Sequence, residues 1–322
     1  MNIAIDMMGG DFAPLEAVKG LQLYMNGNAA PANILCTGDE QQLRKLLDEY
    51  QVISPNIKVV HAPEVVGYHE HPTKALKEKP QSSISVGFHL LASGKADAFI
   101  SAGNTGAMLV GAMFSIKAIE GVLRPTIGTV IPKMNGKTGL LLDAGLNADC
   151  KPEHLDQFAV LGTLYAKNIL GIDKPKVGLM NVGEEEGKGN ALAQATYPLL
   201  KSNSQINFAG NIEGRDIFSD KADVMVCDGF TGNIILKMAE SFYEIAHHRN
   251  FHTDEYIQRF HYENYGGTPV LGVARPVIIG HGISNSTAFW NMIRLAERMI
   301  ETDVCGQMKS SFAAAAAPAT GQ

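Results

Sequence analysis

The stretch Ala96-Asp97-Ala98-Phe99-Ile100-Ser101-Ala102-Gly103-Asn104-Thr105-Gly106 reads as a buried strand, a Gly-x-Thr-Gly turn and the start of a helix. It has a gap-free echo further on, Ala222-Asp223-Val224-Met225-Val226-Cys227-Asp228-Gly229-Phe230-Thr231-Gly232. Two readings stand side by side. Any strand-to-helix turn favours Gly and Thr. Alternatively, the two turns are backbone cradles opening on a common crevice.

Outward from these stretches, short apolar runs alternate with amphipathic ones. Runs at 3–6, 33–37, 57–61, 98–101, 127–131, 140–143, 177–181, 206–209, 224–227 and 277–279 read as strands. Stretches at 14–25, 40–50, 82–94, 106–120, 152–170, 191–201, 232–248 and 284–301 read as helices. The alternation predicts a doubly wound α/β sandwich with parallel strands, right-handed crossovers and helices on both faces. Ligands then sit beyond the carboxyl ends of the strands. Asp11 is placed to cap the first helix, with Pro14 in its first turn. No linker separates two domains, so residues 1–305 are expected to form one domain. The alanine-rich end, AAAAAPATGQ from Ala313, marks 306–322 as a low-complexity, disordered tail.

Of the 322 residues, 45% are hydrophobic and 19% charged, which suits a sizeable core and excludes a disordered chain. Acidic residues outnumber basic ones, 33 to 27, so a whole-molecule basic footprint for nucleic acid is absent. Cys36, Cys150, Cys227 and Cys305 form no CxxC pair, which suits a reducing cytosol. The first residues run straight into a strand pattern, without the basic start and apolar run of a signal peptide. No apolar stretch reaches the ~18 residues of a membrane span.

Sharp signatures fail one by one. There is no GxGxxG and no HExxH. Gly136-Lys137-Thr138 resembles the end of a P-loop, but Ile131 stands where its first glycine belongs. Gly282-Ile283-Ser284-Asn285-Ser286 breaks GxSxG at its last position. His69-Glu70-His71 and the group His247, His248, His252 and His261 read as solvated surface histidines. No metal is expected.

Polar, glycine-bearing turns remain, nearly all after predicted strands. They are Asp6-Met-Met-Gly9-Gly10-Asp11, Ser101-Ala-Gly103-Asn104-Thr105-Gly106 and Asp143-Ala-Gly145-Leu-Asn147-Ala-Asp149. Next come Asn181-Val-Gly183-Glu184-Glu185-Glu186-Gly187-Lys188-Gly189-Asn190 and Gly210-Asn211-Ile-Glu213-Gly214-Arg215. The last are Asp228-Gly229-Phe-Thr231-Gly232-Asn233 and Gly280-His281-Gly282-Ile-Ser284. Glycine lets backbone N–H groups approach an anion, and a helix start adds partial positive charge. Asn, Thr and Ser donate hydrogen bonds, while Lys188 and Arg215 bring charge. An anion-binding crevice follows as the expectation. Each member has a plainer reading. Asp6 and Asp143 brace turns, Glu184 to Glu186 form a solvated rim, Lys188 is surface, and His281 is a satisfied core histidine.

Taken in order over roughly residues 1–300, these turns resemble the bacterial acyl-ACP:phosphate acyltransferases of phospholipid synthesis. Asp-Cys-Lys-Pro-Glu-His-Leu155 adds to the match. The resemblance implies a Rossmann-like fold related to phosphate acetyltransferases and isocitrate dehydrogenases, a homodimer, and no cofactor. It implies transfer of a fatty acyl group from acyl carrier protein to inorganic phosphate. The acyl phosphate would feed a membrane glycerol-3-phosphate acyltransferase. Under it Lys188 takes phosphate or oxyanion charge, and Asn104, Thr105, Thr231 and Asn233 donate hydrogen bonds. Asp228 orients or accepts a proton, giving Lys188, Asn233 and Asp228 as catalytic candidates. Asp6, Gly9, Gly10, Asp11, Gly106, Asn181, Asn211, Arg215, Gly232, His281 and Ser284 complete the substrate and phosphate candidates.

One region departs from the family. An apolar, basic amphipathic segment tied to membrane association is expected at about 238–265. From Lys237 to Gly266 this chain has three cations, Lys237, Arg249 and Arg259, against five anions. That balance opposes anionic lipid and favours helices packing on the core or on a dimer partner. Peripheral membrane contact is therefore expected to be weak, and the protein cytoplasmic. An acidic carrier protein calls for a local basic face, and Lys74, Lys77 and Lys79 form the candidate run, with a solvated charged face as its plainer reading. Competing functions on the same fold are a short-chain phosphate acyltransferase and a nicotinamide-linked dehydrogenase. A non-catalytic carrier-protein scaffold is the third alternative.

Overall fold

The computed structural model describes residues 1–251 and 254–316. The chain divides into two compact units, Met1–Lys117 with Tyr262–Cys305, and Ala118–His261 with Gly306–Gln322. The first unit opens with β1 (Asn2–Asp6), α1 (Leu15–Gly27), β2 (Asn33–Gly38), α2 (Glu40–Glu49) and β3 (Ile57–His61). It continues with α3 (Pro72–Glu78), α4 (Ser83–Ala92), β4 (Ala98–Ser101) and α5 (Thr105–Gly111). The second unit follows with β5 (Thr126–Pro132), β6 (Thr138–Leu142), α6 (Pro152–Asn168), β7 (Lys176–Met180) and α7 (Ala191–Ser202). Then come β8 (Asn207–Ile212), β9 (Val224–Val226), α8 (Gly229–His248) and α9 (Glu255–Gln258). β10 (Thr268–Leu271), β11 (Val277–Ile279) and α10 (Ser286–Glu301) return to the first unit, and α11 (Val304–Ala316) ends the described chain.

Among the described residues, the strand order of the first unit is β3-β2-β1-β4-β11-β10. The first five are parallel, and β10 lies antiparallel on β11. In the second unit the order is β5-β6-β9-β7-β8, with β5 antiparallel on β6 and the other four parallel. Central strands are the uniformly buried ones: β4, β9 and β11 bury every residue. This is the pattern of strands covered on both faces. Edge strands β3 and β8 are only half buried.

Several expectations need correction. The expected single domain is two units, because the chain leaves the first after Lys117 and returns at Tyr262, a crossing that no linker composition marks. Parallel strands alone do not describe the sheets: β5 and β6 form a hairpin around Asn135-Gly136, a dipeptide suited to tight reversals. Asp11 does not cap α1, which starts at Leu15 with Pro14 at the cap position and no side-chain cap. The helix expected over 106–120 passes after Gly111 into a π turn, Ala112–Ile116, and the chain leaves at Lys117 with φ +69. The tail expected from 306 is helical through Ala316, because Met308 and Phe312, one turn apart, are buried. Residues 317–322 lie outside the described residues.

The segment around α8 has two faces. Phe242 packs with Phe218 and Phe260, and Tyr256 packs on Phe260. Phe230, Ile234, Met238 and Ile245 recur at helical spacing on another stripe and are exposed. No helix among the described residues is long and apolar enough to cross a membrane.

Candidate active site

β6, β9, β7 and β8 lie side by side in that order and point the same way. The turns after them therefore leave one edge of the second unit, where ligands of parallel sheets bind. The turn after β6 is built around Asp143, which is fully buried. Its Oδ1 accepts from the N–H of Gly145 (3.1 Å) and Leu146 (3.0 Å), and its Oδ2 from Asn147 N–H and Nδ2 (both 2.7 Å). Asn147 O then accepts from Gly229 N–H at the start of α8 (2.8 Å). Gly145 lies against the Asn233 side chain. A Cβ on Gly232 would stand 1.8 Å from Asp143 O, so only glycine lets α8 approach this turn. Sequence reasoning noted Asp143 as a brace and left it out of the candidate site. It is the strut on which the Asn233 turn rests.

Asp228 caps α8, with Oδ1 accepting from Thr231 N–H and Oδ2 from Thr231 Oγ1 (both 2.9 Å). The Thr231 hydroxyl, expected to donate to a ligand, thus donates to Asp228, and Asp228, expected to orient or accept a proton, caps the helix. Asn233 is exposed, one turn further along, and its amide forms no hydrogen bond among the described residues.

The turn after β7 is rigid by its own bonds. Asn181 Nδ2 donates to Lys188 O (3.1 Å), and Lys188 N–H to Glu185 O (3.1 Å). Gln194 Nε2 donates to Gly187 O and Gly189 O (both 3.0 Å), and Asn211 Nδ2 to Glu185 O (2.8 Å). One amide N–H each of Asn181 and Asn211 thus goes into shaping the turn. Asn211 Oδ1 is buried and unpartnered among the described residues. Two carboxylates of the acidic rim are neutralised from elsewhere, Glu184 by Lys221 and Glu186 by Lys201 (both 2.5 Å), while Glu185 is exposed and enters no ion pair among the described residues. Arg215 pairs with Glu213 (2.6 Å). Lys188 is exposed and enters no ion pair among the described residues. Its backbone is clamped while its ammonium remains available for an anion.

Neither neighbouring thiol is a nucleophile at neutral pH. Burial pushes Cys150 up to about 11, with Asp143 adding to it, and burial holds Cys227 well above the usual thiol range.

The five parallel strands of the first unit also end at one edge, but their turns are engaged internally. Met7 N–H donates to Thr37 O (3.0 Å), Met8 N–H to Asp6 Oδ1 (3.0 Å) and Asp11 N–H to Gly282 O (2.7 Å). Gly9 lies tight against the neighbouring turn, since a Cβ on it would stand 2.6 Å from Gly103 N. Asp6 is buried and takes the Ser101 hydroxyl (2.6 Å), so it supports the turn from beneath. Burial raises its carboxyl above the usual range, against the hydrogen bonds of Ser101, Ser83 and the backbone.

Asn104 is likewise occupied. Its Oδ1 caps α5 through Ala107 N–H (2.9 Å), and its Nδ2 reaches the carbonyls of Gly67, Tyr68 and Glu70 (2.9, 3.2 and 3.3 Å). Gly106 accommodates Pro72 of α3. Thr105 is exposed and unpaired among the described residues; His281 is exposed, where a core histidine was the plainer reading; Ser284 is buried. In the basic run, Lys79 pairs with Glu70 (2.6 Å) and Lys74 lies 3.9 Å from Glu78. No group of metal-ligating side chains occurs among the described residues. Tyr68, absent from the sequence candidates, donates to Ala102 O (3.2 Å) beside Asp11. Burial, then Asp11, pushes its phenol up to about 12.

Known proteins resemble this chain over nearly its whole length. The family model described as fatty acid synthesis protein matches residues 1–249 and 250–307. A phosphate acyltransferase of Dictyoglomus turgidum is 41% identical, covering 94% of this chain and 95% of that protein. One from Aquifex aeolicus is 44% identical, covering 94% of each. Among solved structures, the EutD phosphotransacetylase from Staphylococcus aureus superposes with a TM-score of 0.63 at 18% identity, covering 93% of this chain and 94% of that one. A 4-hydroxythreonine-4-phosphate dehydrogenase from Klebsiella pneumoniae gives 0.55 at 12%, covering 93% and 98%. These two show the fold alone, a Rossmann-like fold of the phosphate acetyltransferase kind. The relatives show more: the chain belongs to the fatty acid synthesis protein family and is an acyltransferase.

Proposed function

We propose that this protein transfers a long-chain acyl group from acyl carrier protein to inorganic phosphate. The observation that carries the reading is Lys188, an unpaired ammonium on a turn braced by Asn181, Gln194 and Asn211. A phosphate oxygen attacks the thioester carbonyl. The C–O bond forms, the C–S bond breaks, and the departing sulfur takes the proton that phosphate releases. Phosphate is already an anion at neutral pH, so no enzyme nucleophile is needed. The enzyme's part is to hold the two reactants together and to stabilise the tetrahedral oxyanion. Lys188 supplies charge and the Asn233 amide a neutral donor, while Asp228 and Asp143 fix the Asn233 turn.

The test is mass spectrometry of palmitoyl-loaded carrier protein with the full chain, with and without phosphate. Phosphate-dependent loss of the acyl group, with acyl phosphate appearing, supports the reading; no loss over several chain lengths overturns it. The product suits a membrane glycerol-3-phosphate acyltransferase in phospholipid synthesis. On this reading the protein works in the cytoplasm, with at most weak peripheral contact at the membrane. We also infer a homodimer in which a second copy covers the exposed stripe of α8. Ile234→Asp with Ile245→Asp should give monomers by light scattering; an unchanged mass would place the interface elsewhere.

A further inference from the structure

The first unit's edge has a donor and acceptor balance opposite to that of an anion site. The N–H groups of Met7, Met8 and Asp11 are engaged, residues 7–14, 62–71, 102–106 and 280–285 contain no Lys or Arg, and Lys79, which reaches Val65 O from the end of α3, is paired with Glu70. Carboxylates are present instead: Asp11 is exposed, with Asp6 buried beneath. Apolar side chains stand out on the same loops. Phe12 is 53% exposed, Tyr68 46%, Ile283 43% and Val65 39%. The loops form one rigid surface. Asp11 N–H bonds Gly282 O, the Tyr68 ring lies against Gly282, and Asn104 ties down the carbonyls of 67, 68 and 70. In the same turn, Ser284 Oγ is buried and unpartnered among the described residues, a polar group that the fold does not use.

An inorganic anion meets the Asp11 carboxylate here, and the lysine that reaches these loops is already paired with Glu70. A ligand with N–H donors and apolar length meets a carboxylate acceptor and apolar contact. We propose that this edge binds the uncharged, amide-bearing arm and acyl chain of the thioester donor. The Asp11 carboxylate accepts from an amide N–H, and Phe12, the Tyr68 ring and Ile283 lie along the chain. The proposal rests on the acyl-transfer reading.

The test is steady-state kinetics of the full chain with octanoyl thioesters of pantetheine, N-acetylcysteamine and ethanethiol, which differ in amide content. Asp11→Ala should raise KM for the pantetheine thioester about 10–150-fold, the worth of one hydrogen bond to a charged acceptor. KM for phosphate should stay within about twofold, and the amide-free thioester should be nearly unaffected. Ile283→Asp, at an exposed position, should raise thioester KM more as the acyl chain lengthens. An Asp11→Ala loss equal on all three thioesters, or one falling on phosphate, overturns the proposal. If the wild type cleaves no thioester, only the reaction reading fails. Calorimetric binding of octanoyl-pantetheine then decides the subsite: weaker binding by Asp11→Ala supports it, and equal or absent binding overturns it.

Discussion

The two units end their parallel strands in the same way and equip the ends differently. In the first, Asn104, Asp6 and the N–H groups of Met7, Met8 and Asp11 are absorbed in holding loops together, and the Asp11 carboxylate and apolar side chains are exposed. In the second, Glu184, Glu186 and Asp228 are absorbed by Lys221, Lys201 and the cap of α8, and Lys188 is exposed. A Gly-x-Thr-Gly turn is therefore not a ligand signature in itself. What differs is which groups the local hydrogen bonds leave over. The first edge suits an uncharged donor, and the second suits an anion.

The largest effect that could break this comparison lies at Lys188. Lys188→Ala should lower kcat by about 10²–10³, the typical worth of one group placed on a developing oxyanion. The melting temperature should hardly move, because the ammonium makes no ion pair and the backbone bonds of residue 188 survive. Single-turnover rates alongside thermal melts check both halves. Unchanged turnover would remove the second edge's claim to the anion.

Asp143→Ala comes next and acts on stability and rate together. Five donors lose a buried acceptor, at a cost of about 1–3 kcal/mol for each one left without a substitute. Urea midpoints should fall, and kcat should fall with them because the Asn233 turn loosens. Asp143→Asn keeps shape and one acceptor oxygen and should recover part of both. A variant with normal kcat despite lowered stability would show that the strut serves the fold alone. On the first edge, Asn104→Ala should cost about 1–2 kcal/mol from its cap and clamp. It should raise KM for the acyl donor and leave that for phosphate unchanged; the reverse split would break the contrast between the edges.

Much of the fold was legible because buried parallel strands are short continuous apolar runs, as 224–226 and 277–279 are. β10 went unread because Thr268–Leu271 contains Pro269 and lies close to two glycines, which mimic a loop. The division into units was invisible because it depends on a return crossing at Tyr262, not on a linker. At the site, the sequence suggests ligand roles for short polar side chains such as Asn104 and Asp228, and the structure shows what else such side chains do. Asn104, Asn190, Asp228 and Asn285 all follow strands and all cap helices. The same short polar side chains serve caps and ligands, so residue type alone cannot separate them. Tyr68 carried no signal, since its place depends on a carbonyl clamp made by a residue 36 positions away.

The smallest effect sharpens the account of the first edge from beneath. Burial outweighs the hydrogen bonds to Asp6 and raises its carboxyl from 3.8. The unfolded chain then gives up this proton at lower pH than the folded one. Asp6 therefore contributes stability that is full below about pH 4 and is lost as pH rises through the raised folded value. Asp6→Asn has no such proton to lose. Relative to wild type, the variant should compare worst near pH 4 and gain steadily toward pH 7, read from urea midpoints at four pH values. Parallel curves would mean that Ser101, Ser83 and the Met8 N–H stabilise the carboxylate enough to cancel burial. The turn would then rest on a buried anion, and the field repelling phosphate from the first edge would be stronger than Asp11 alone provides.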